Sequence, residues 1–390
     1  MADKVFLKKN EDKRILSGHL WVFSNEILRY DGEPSNGDVV EVYNYQNDFI
    51  GCGFFNRNSL IAVRMLTRTK IDDLKLLLKQ RIISANSLRK TFYPDRNSYR
   101  MVFSESDFLP GLIIDKYNQT FVLQVYSFGL QKNILAVVEI LAQEFGAENI
   151  FSKNENYFRQ LEGLSLTDEV YLGILSSEII NDGSINYKIN FEQSQKTGFY
   201  FDQSDNRFFI EQLMKDKNVL DCFCNSGGFG LHAAKAGAAT VTFVDSSANE
   251  INSVKTNYDL NQLTTESEFI ADDGFDYFEK KLNQKKFDVV MLDPPAFAKN
   301  KKSLPTAKKG YEKLNRLALN CITKGGWLVT SSCSHHLTEA DFFSVISIAA
   351  KKAKRQIQLL HLSGASLDHP RLITMPETSY LKFAVFRVFE

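Results

Sequence analysis

Past residue 190 the sequence repeats one pattern, and that pattern narrows the fold more than any other feature. Short apolar runs, Val219 to Phe223, Val241 to Asp245, Phe287 to Asp293 and Trp327 to Ser331, alternate with helix-length stretches at 229–237, 247–260, 307–322 and 338–352. Strands alternating with helices imply a parallel sheet covered on both faces, an α/β architecture of the Rossmann-like kind. In such a sheet ligands sit beyond the carboxyl ends of the strands. The polar residues with chemical potential stand at those ends.

The first strand runs into DCFCNSGGFG at residues 221–230. Glycine there lets the backbone pass close to a ligand, because no Cβ intrudes. Asp245, with Ser246 beside it, ends the second strand, where a carboxylate can accept both hydroxyl hydrogens of a ribose. Asp272 and Asp273 follow the third strand, placed to meet an adenine edge. Gly228, Gly230 and Ala233 also match the spacing of a dinucleotide fingerprint. However, the glycines begin only after Asn225 and Ser226, past the end of the apolar run. Asp221 at the strand end suits a cationic amino-acid tail, whereas a pyrophosphate needs bare amides and a helix dipole. The pattern Asp221, Asn225, Ser226, Gly227, Gly228 and Asp245 therefore favours S-adenosylmethionine over NAD, with S-adenosylhomocysteine as the product.

The fourth strand ends in Asp293-Pro294-Pro295. Two prolines remove two amide donors and stiffen the loop, aiming the Asp293 carboxylate at an exocyclic amine or ring nitrogen of a planar base. The fifth strand ends in Ser331-Ser332-Cys333-Ser334. C5 of cytosine is too weakly nucleophilic to take a methyl group directly, and a thiolate adding to C6 makes it enamine-like. Cys333 is the candidate nucleophile, with His335 and His336 nearby. The segment 193–207 (QSQKTGFYFDQSDNR) reads as a lid, with Lys196 or Arg207 available to a cofactor carboxylate.

The N-terminal part has a different texture. Val39–Tyr43, Phe49–Phe55 and Leu60–Leu66 read as short strands of a small β-barrel, followed by a helix near 71–91. A hairpin over 112–125 and a helix over 133–145 belong to a central α/β segment. Asn181 to Ser184 reads as a linker. These readings give domains at 1–72, 73–185 and 186–390. Five cysteines, odd in number and without CxxC spacing, argue against a disulfide framework or a zinc site and point to the reducing cytoplasm. Neither a signal peptide nor a membrane span is read. Basic and acidic residues balance at 47 each, so a polyanion surface must come from local charge. Residues 299–316 hold seven basic side chains against Glu312 alone.

KTGFYFDQSDNR, DCFCNSGGF, LDPPAF, SSCS and the closing Asp368-His369-Pro370, Pro376-Glu377 and Tyr380-Leu381-Lys382 resemble the bacterial and archaeal large-subunit rRNA cytosine-5 methyltransferases, and LSGHLWVFSNEI at 16–27 resembles the start of their PUA domain. The likeness covers essentially the whole chain. It implies a PUA barrel for RNA contact, a central α/β domain and a class I methyltransferase domain, with large-subunit rRNA as partner and a homodimer as an option. Cys333 would be the nucleophile and Asp293 the partner at the base. A sister group with the same lid and DPP motifs methylates guanine N7 without a nucleophile. A non-catalytic RNA assembly factor that retains a cofactor pocket and a small-molecule methyltransferase are the other readings.

Overall fold

The computed structural model describes residues 3–192, 196–281, 286–298 and 300–390. Gln193, Ser194 and Gln195 of the lid motif, and Lys299 of the basic segment, lie outside them. The chain forms two compact units, one from residues 1–180, 189–201 and 367–378, the other from 181–188, 202–366 and 379–390.

The first unit contains two sheets. In the N-terminal one, six strands lie in the order Trp21–Phe23, Ile61–Thr67, Phe49–Phe55, Val39–Tyr43, Lys4–Leu7, Ile27–Asp31. Only glycine fits at position 53, where the neighbouring strand passes so close that a Cβ would lie 2.4 Å from the Arg64 carbonyl oxygen. Val5, Leu7, Val22, Val40, Val42, Phe55 and Val63 fill its core. The second sheet has five strands between Ser98–Phe103 and Val170–Leu172. Helices Leu74–Phe92 and Ile134–Phe145 contribute Leu78, Ile82, Val137 and Leu141 to the core beneath it. Arg89, fully buried, forms a two-pronged pair with Asp107 (2.6 and 2.7 Å). Its guanidinium also donates to the Asp368 carbonyl at 2.8 Å, and the Asp368 carboxylate accepts from the Arg100 amide at 2.9 Å. The Asp368-His369-Pro370 motif thus anchors a late stretch of chain to this unit. Removing one partner of so buried a pair costs about 3–5 kcal/mol, because the other charge is left uncompensated.

The second unit is built on a seven-stranded sheet. Numbering its strands in chain order, the first is Asn218–Cys222, the second Thr240–Asp245, the third Glu266–Ala271, the fourth Phe287–Leu292, the fifth Ile322–Ser332, the sixth Gln356–Ser363 and the seventh Lys382–Phe389. Their order across the sheet is third, second, first, fourth, fifth, seventh, sixth, with the seventh antiparallel to both its neighbours. The alternation of strand and helix produces the five parallel strands, as expected. Strand order reverses at the first strand: the chain runs outward from it through the second and third, then crosses back to the fourth on its other side, and a ligand crevice forms at such a point. Helices Gly228–Lys235, Ala248–Leu260, Leu304–Cys321 and Glu339–Lys352 cover the sheet. Ser247 and Thr338 cap two of them, accepting from the amides of Glu250 and Asp341.

Asn181–Ser184 is a tight turn and not an open linker. Asp182 accepts from the Ser184 and Ile185 amides at 3.0 and 2.9 Å, and its other oxygen meets His232 Nε2 at 2.8 Å. His232 Nδ1 lies 2.6 Å from Glu211. Burial alone would lower the His232 pKa, but these two carboxylates outweigh it and raise it. The turn is therefore pinned to the helix that opens the cofactor-type motif.

Candidate functional site

Every predicted strand-end residue of the second unit lies along the carboxyl edge of its sheet. Asp221 ends the first strand almost fully buried, and its Oδ2 accepts from the Gly230 amide at 2.7 Å. Its Oδ1 is buried with no hydrogen-bond partner among the described residues. Burial pushes the pKa of this carboxyl up to about 7, with the neighbouring Asp293 and Asp245 adding to the rise. A buried acceptor held without a donor is costly unless a ligand supplies one. The cationic ammonium of an adenosylmethionine tail is a donor of the right charge.

The loop after Asp221 is unusually contorted. Phe223 (φ 66°), Asn225 (φ 47°) and Gly227 (φ 91°) all take left-handed backbone. Asp245 holds it: one carboxylate oxygen accepts from the Asn225 amide at 3.0 Å, the other from the Ser247 amide at 2.9 Å. Each oxygen keeps a second lone pair, enough for the two hydroxyls of a ribose. The Ser226 carbonyl is fixed by Asn257 Nδ2 at 3.1 Å, and Ser246 stands exposed beside Asp245. At Gly228 an added Cβ would lie 2.5 Å from Arg207 Nε. The lid-motif arginine is thus packed directly against the glycine turn. Lys196 belongs to the first unit, where its ammonium stands 5.4 Å from the Tyr200 ring centroid.

Asp272 and Asp273 have local duties. Asp272 pairs with Lys280 at 2.7 Å, and its amide donates to the Asp245 carbonyl at 3.0 Å. Asp273 caps the helix Gly274–Lys281 through the amides of Phe275 (2.8 Å) and Asp276 (3.2 Å).

Asp293 and Cys333 are brought together. The Cys333 thiol lies 3.9 Å from the Pro294 carbonyl oxygen, within the DPP loop itself. Asp293 Oδ1 accepts from Gln203 Nε2 at 3.0 Å and from the Ser331 hydroxyl. Burial is the main cause lifting the Asp293 pKa to about 6, with Asp202 also raising it. Phe297 turns away onto Tyr311, the ring centroids 4.5 Å apart. Cys333 is partly exposed, while Cys52, Cys222, Cys224 and Cys321 are buried, and all five are thiols. His335 and His336 sit edge to face at 5.6 Å.

A PUA-like domain model matches residues 5–68, and a model described as conserved hypothetical protein 95 matches 200–359. The ribosomal RNA large subunit methyltransferase I of Pseudoalteromonas atlantica is 35% identical over 394 residues, covering 100% of both chains. The chain belongs to that family. The large subunit methyltransferase I of Enterobacter sp. is 32% identical, again over the full length of both. A SAM-dependent methyltransferase from Streptococcus mutans shares the fold at TM-score 0.83 and 19% identity, over 99% of this chain and 100% of that one. A crystal structure of a methyltransferase complexed with SAH matches at TM-score 0.85 and 20% identity over the same shares.

Sequence reasoning missed Gln203, Ser331 and Lys382 as individual residues. All three lie inside quoted motifs. What sets them apart, an amide and a hydroxyl on one carboxylate and an amine behind the cysteine, appears only when separate strand ends meet. The basic segment is also less free than its composition suggests. Lys308 pairs with Asp341 (2.6 Å) and Lys313 with Glu279 (2.7 Å), while Arg316 lies 3.5 Å from Glu312.

Proposed function

We propose that this chain transfers a methyl group from S-adenosylmethionine to C5 of a cytosine in large-subunit rRNA, with Cys333 forming a transient bond to C6. The observation that carries this reading is the meeting of Cys333 with the Asp293-Pro-Pro loop on the same sheet edge as the orphaned Asp221 oxygen. Full-length kinship with the large subunit methyltransferase I proteins supports the enzymatic class and the rRNA substrate. No described helix is long and apolar enough to cross a membrane, and five thiols without a disulfide suit the cytoplasm.

When bound, adenosylmethionine supplies an electrophilic methyl group. Asp221 would hold its ammonium, Asp245 its ribose and the Asn225–Gly228 turn its backbone-facing side. Arg207, packed at Gly228, stiffens that turn. At the base, Asp293 Oδ1 is committed to Gln203 and Ser331, which leaves Oδ2 for the pyrimidine edge. Thiolate addition at C6 drives electrons toward N3 and toward C5. A carboxyl with a pKa of about 6 can carry a proton to N3 near neutrality and neutralise that charge. C5 then takes the methyl group and gives its proton to solvent as the C6–S bond breaks, N3 returns its proton to Asp293, and the thiolate is restored.

RNA carrying 5-fluorocytosine at the target tests this. Fluorine cannot leave as a proton, so the wild-type protein should give a complex that survives denaturing gels, and Cys333→Ala should give none. Full methylation by Cys333→Ala, with no trapped species, would replace the cytosine-5 reading with the guanine-N7 one.

A further inference from the structure

The proposed chemistry makes no use of Tyr380-Leu381-Lys382. The seventh strand runs antiparallel to the fifth with Lys382 opposite Ser332, so Lys382 stands where the Cys333 loop leaves the sheet. Its side chain is only 9% exposed, an uncommon place for a lysine without a task. Nζ donates to the carbonyls of Ser334 and Tyr380, both at 2.7 Å. The flanks of the cysteine are fixed as well. Ser332 donates to the Tyr311 hydroxyl at 2.9 Å, which lies 2.9 Å from Ser334 Oγ, and Ser334 accepts from the Ala298 amide at 3.2 Å. Ser332 and Ser334 are both fully buried, whereas Cys333 between them is partly exposed.

We propose that Lys382 is a positioning residue that holds the Cys333 loop and stabilises Cys333 as a thiolate; the inference rests on the nucleophile reading above. The two carbonyls favour the charged amine, and burial opposes it, pushing the Lys382 pKa down to about 8. The Cys333 thiolate and Glu339, in the first turn of Glu339–Lys352, act in the other direction. Tyr311, from Leu304–Cys321, also feels the Cys333 charge, and His335 and His336 follow in the same loop. With Lys382 as an ammonium on the Ser334 and Tyr380 carbonyls, loss of the Cys333 S–H proton to solvent leaves a thiolate in the field of that positive charge.

The test follows alkylation of Cys333 by iodoacetamide against pH, read by mass spectrometry of its peptide. An opposite charge at close range lowers an acid's pKa by about one unit or more. Lys382→Gln, which keeps a donor but loses the charge, should move the half-maximal pH up by about one unit and slow alkylation roughly tenfold at pH 7. Lys382→Arg should stay near wild type. An unmoved profile in a Lys382→Gln protein that still binds S-adenosylhomocysteine overturns the proposal. Should Lys382→Gln not fold, labelling of the Lys382 amine by acetic anhydride in Cys333→Ser gives the same coupling from the other side. Its half-labelling pH should fall, and an unchanged value overturns the proposal. No 5-fluorocytosine adduct in wild type would remove the nucleophile reading and this inference together. A trapped adduct with an unmoved alkylation profile would remove Lys382 alone.

Discussion

Replacing Asp221 with Asn should do opposite things to stability and to cofactor binding, and the sign of the first should depend on pH. The Asp221 carboxyl is raised from 3.8 to about 7 by burial, so the folded protein binds a proton that the unfolded chain has released. Stability from this group is therefore present at pH 4 and is lost as pH rises through 7. About three pKa units at 1.36 kcal/mol each makes roughly 4 kcal/mol of ionisation cost by pH 8. Asn carries no charge and still offers an oxygen to the Gly230 amide, but its NH2 lacks an acceptor, at about 1–3 kcal/mol. Asp221→Asn should then be no more stable than wild type at pH 5 and about 1–3 kcal/mol more stable at pH 8. Urea midpoints at the two pH values measure this without ligand. Calorimetry with S-adenosylhomocysteine should show the gain offset by lost affinity, and wild-type binding should release a proton near pH 6.5 as the ammonium recharges Asp221. A variant that is less stable at pH 8, or that binds the ligand as wild type does, would refute the reasoning.

Asp245→Ala removes the clasp on the Asn225 and Ser247 amides together with a ribose contact. S-adenosylhomocysteine affinity should fall by about one to two decades, from charge-assisted bonds of roughly 1.5–3 kcal/mol, and calorimetry reads it directly. Gly228→Ala puts a methyl group 2.5 Å from Arg207 Nε. The guanidinium must shift, and stability should drop by about 1–3 kcal/mol with weaker ligand binding, visible as a lower urea midpoint. Neutralising Lys301, Lys302 and Lys309, which have no ion pair among the described residues, should flatten the salt dependence of RNA binding by about two to three in log–log slope. Lys308→Ala instead strands Asp341 and should alter RNA binding less.

The sequence made most of the parallel half of the second sheet legible because four of its five strands are dense apolar runs bounded by a polar end, while the third, Glu266–Ala271, mixes exposed and half-buried residues. The sixth and seventh strands were not read from it. Gln356–Ser363 is an edge strand with exposed Leu359, Leu360 and Leu362, so its pattern does not separate a core face from solvent. Lys382–Phe389 is buried along most of its length, and a continuous apolar run does not declare its direction. Yet the seventh strand delivers Lys382. The positions of Asp221 and Asp245 were legible for a related reason: each stands at the carboxyl end of a strand, so position along the chain already places them. Asp272 and Asp273 follow a strand too, and there folding adds an ion pair with Lys280 and a helix cap that strand-end position alone does not indicate. Asp293 and its partners Gln203 and Ser331 come from three separated segments, and only folding assembles them.

The central claim is best tested on the RNA itself. Nucleosides from large-subunit rRNA should be compared by mass spectrometry between cells with the wild-type protein, cells without it and cells with Cys333→Ala. The account predicts one 5-methylcytidine that is present with the wild type and missing in the other two. An N7-methylguanosine following that pattern, or no nucleoside that changes, would contradict it.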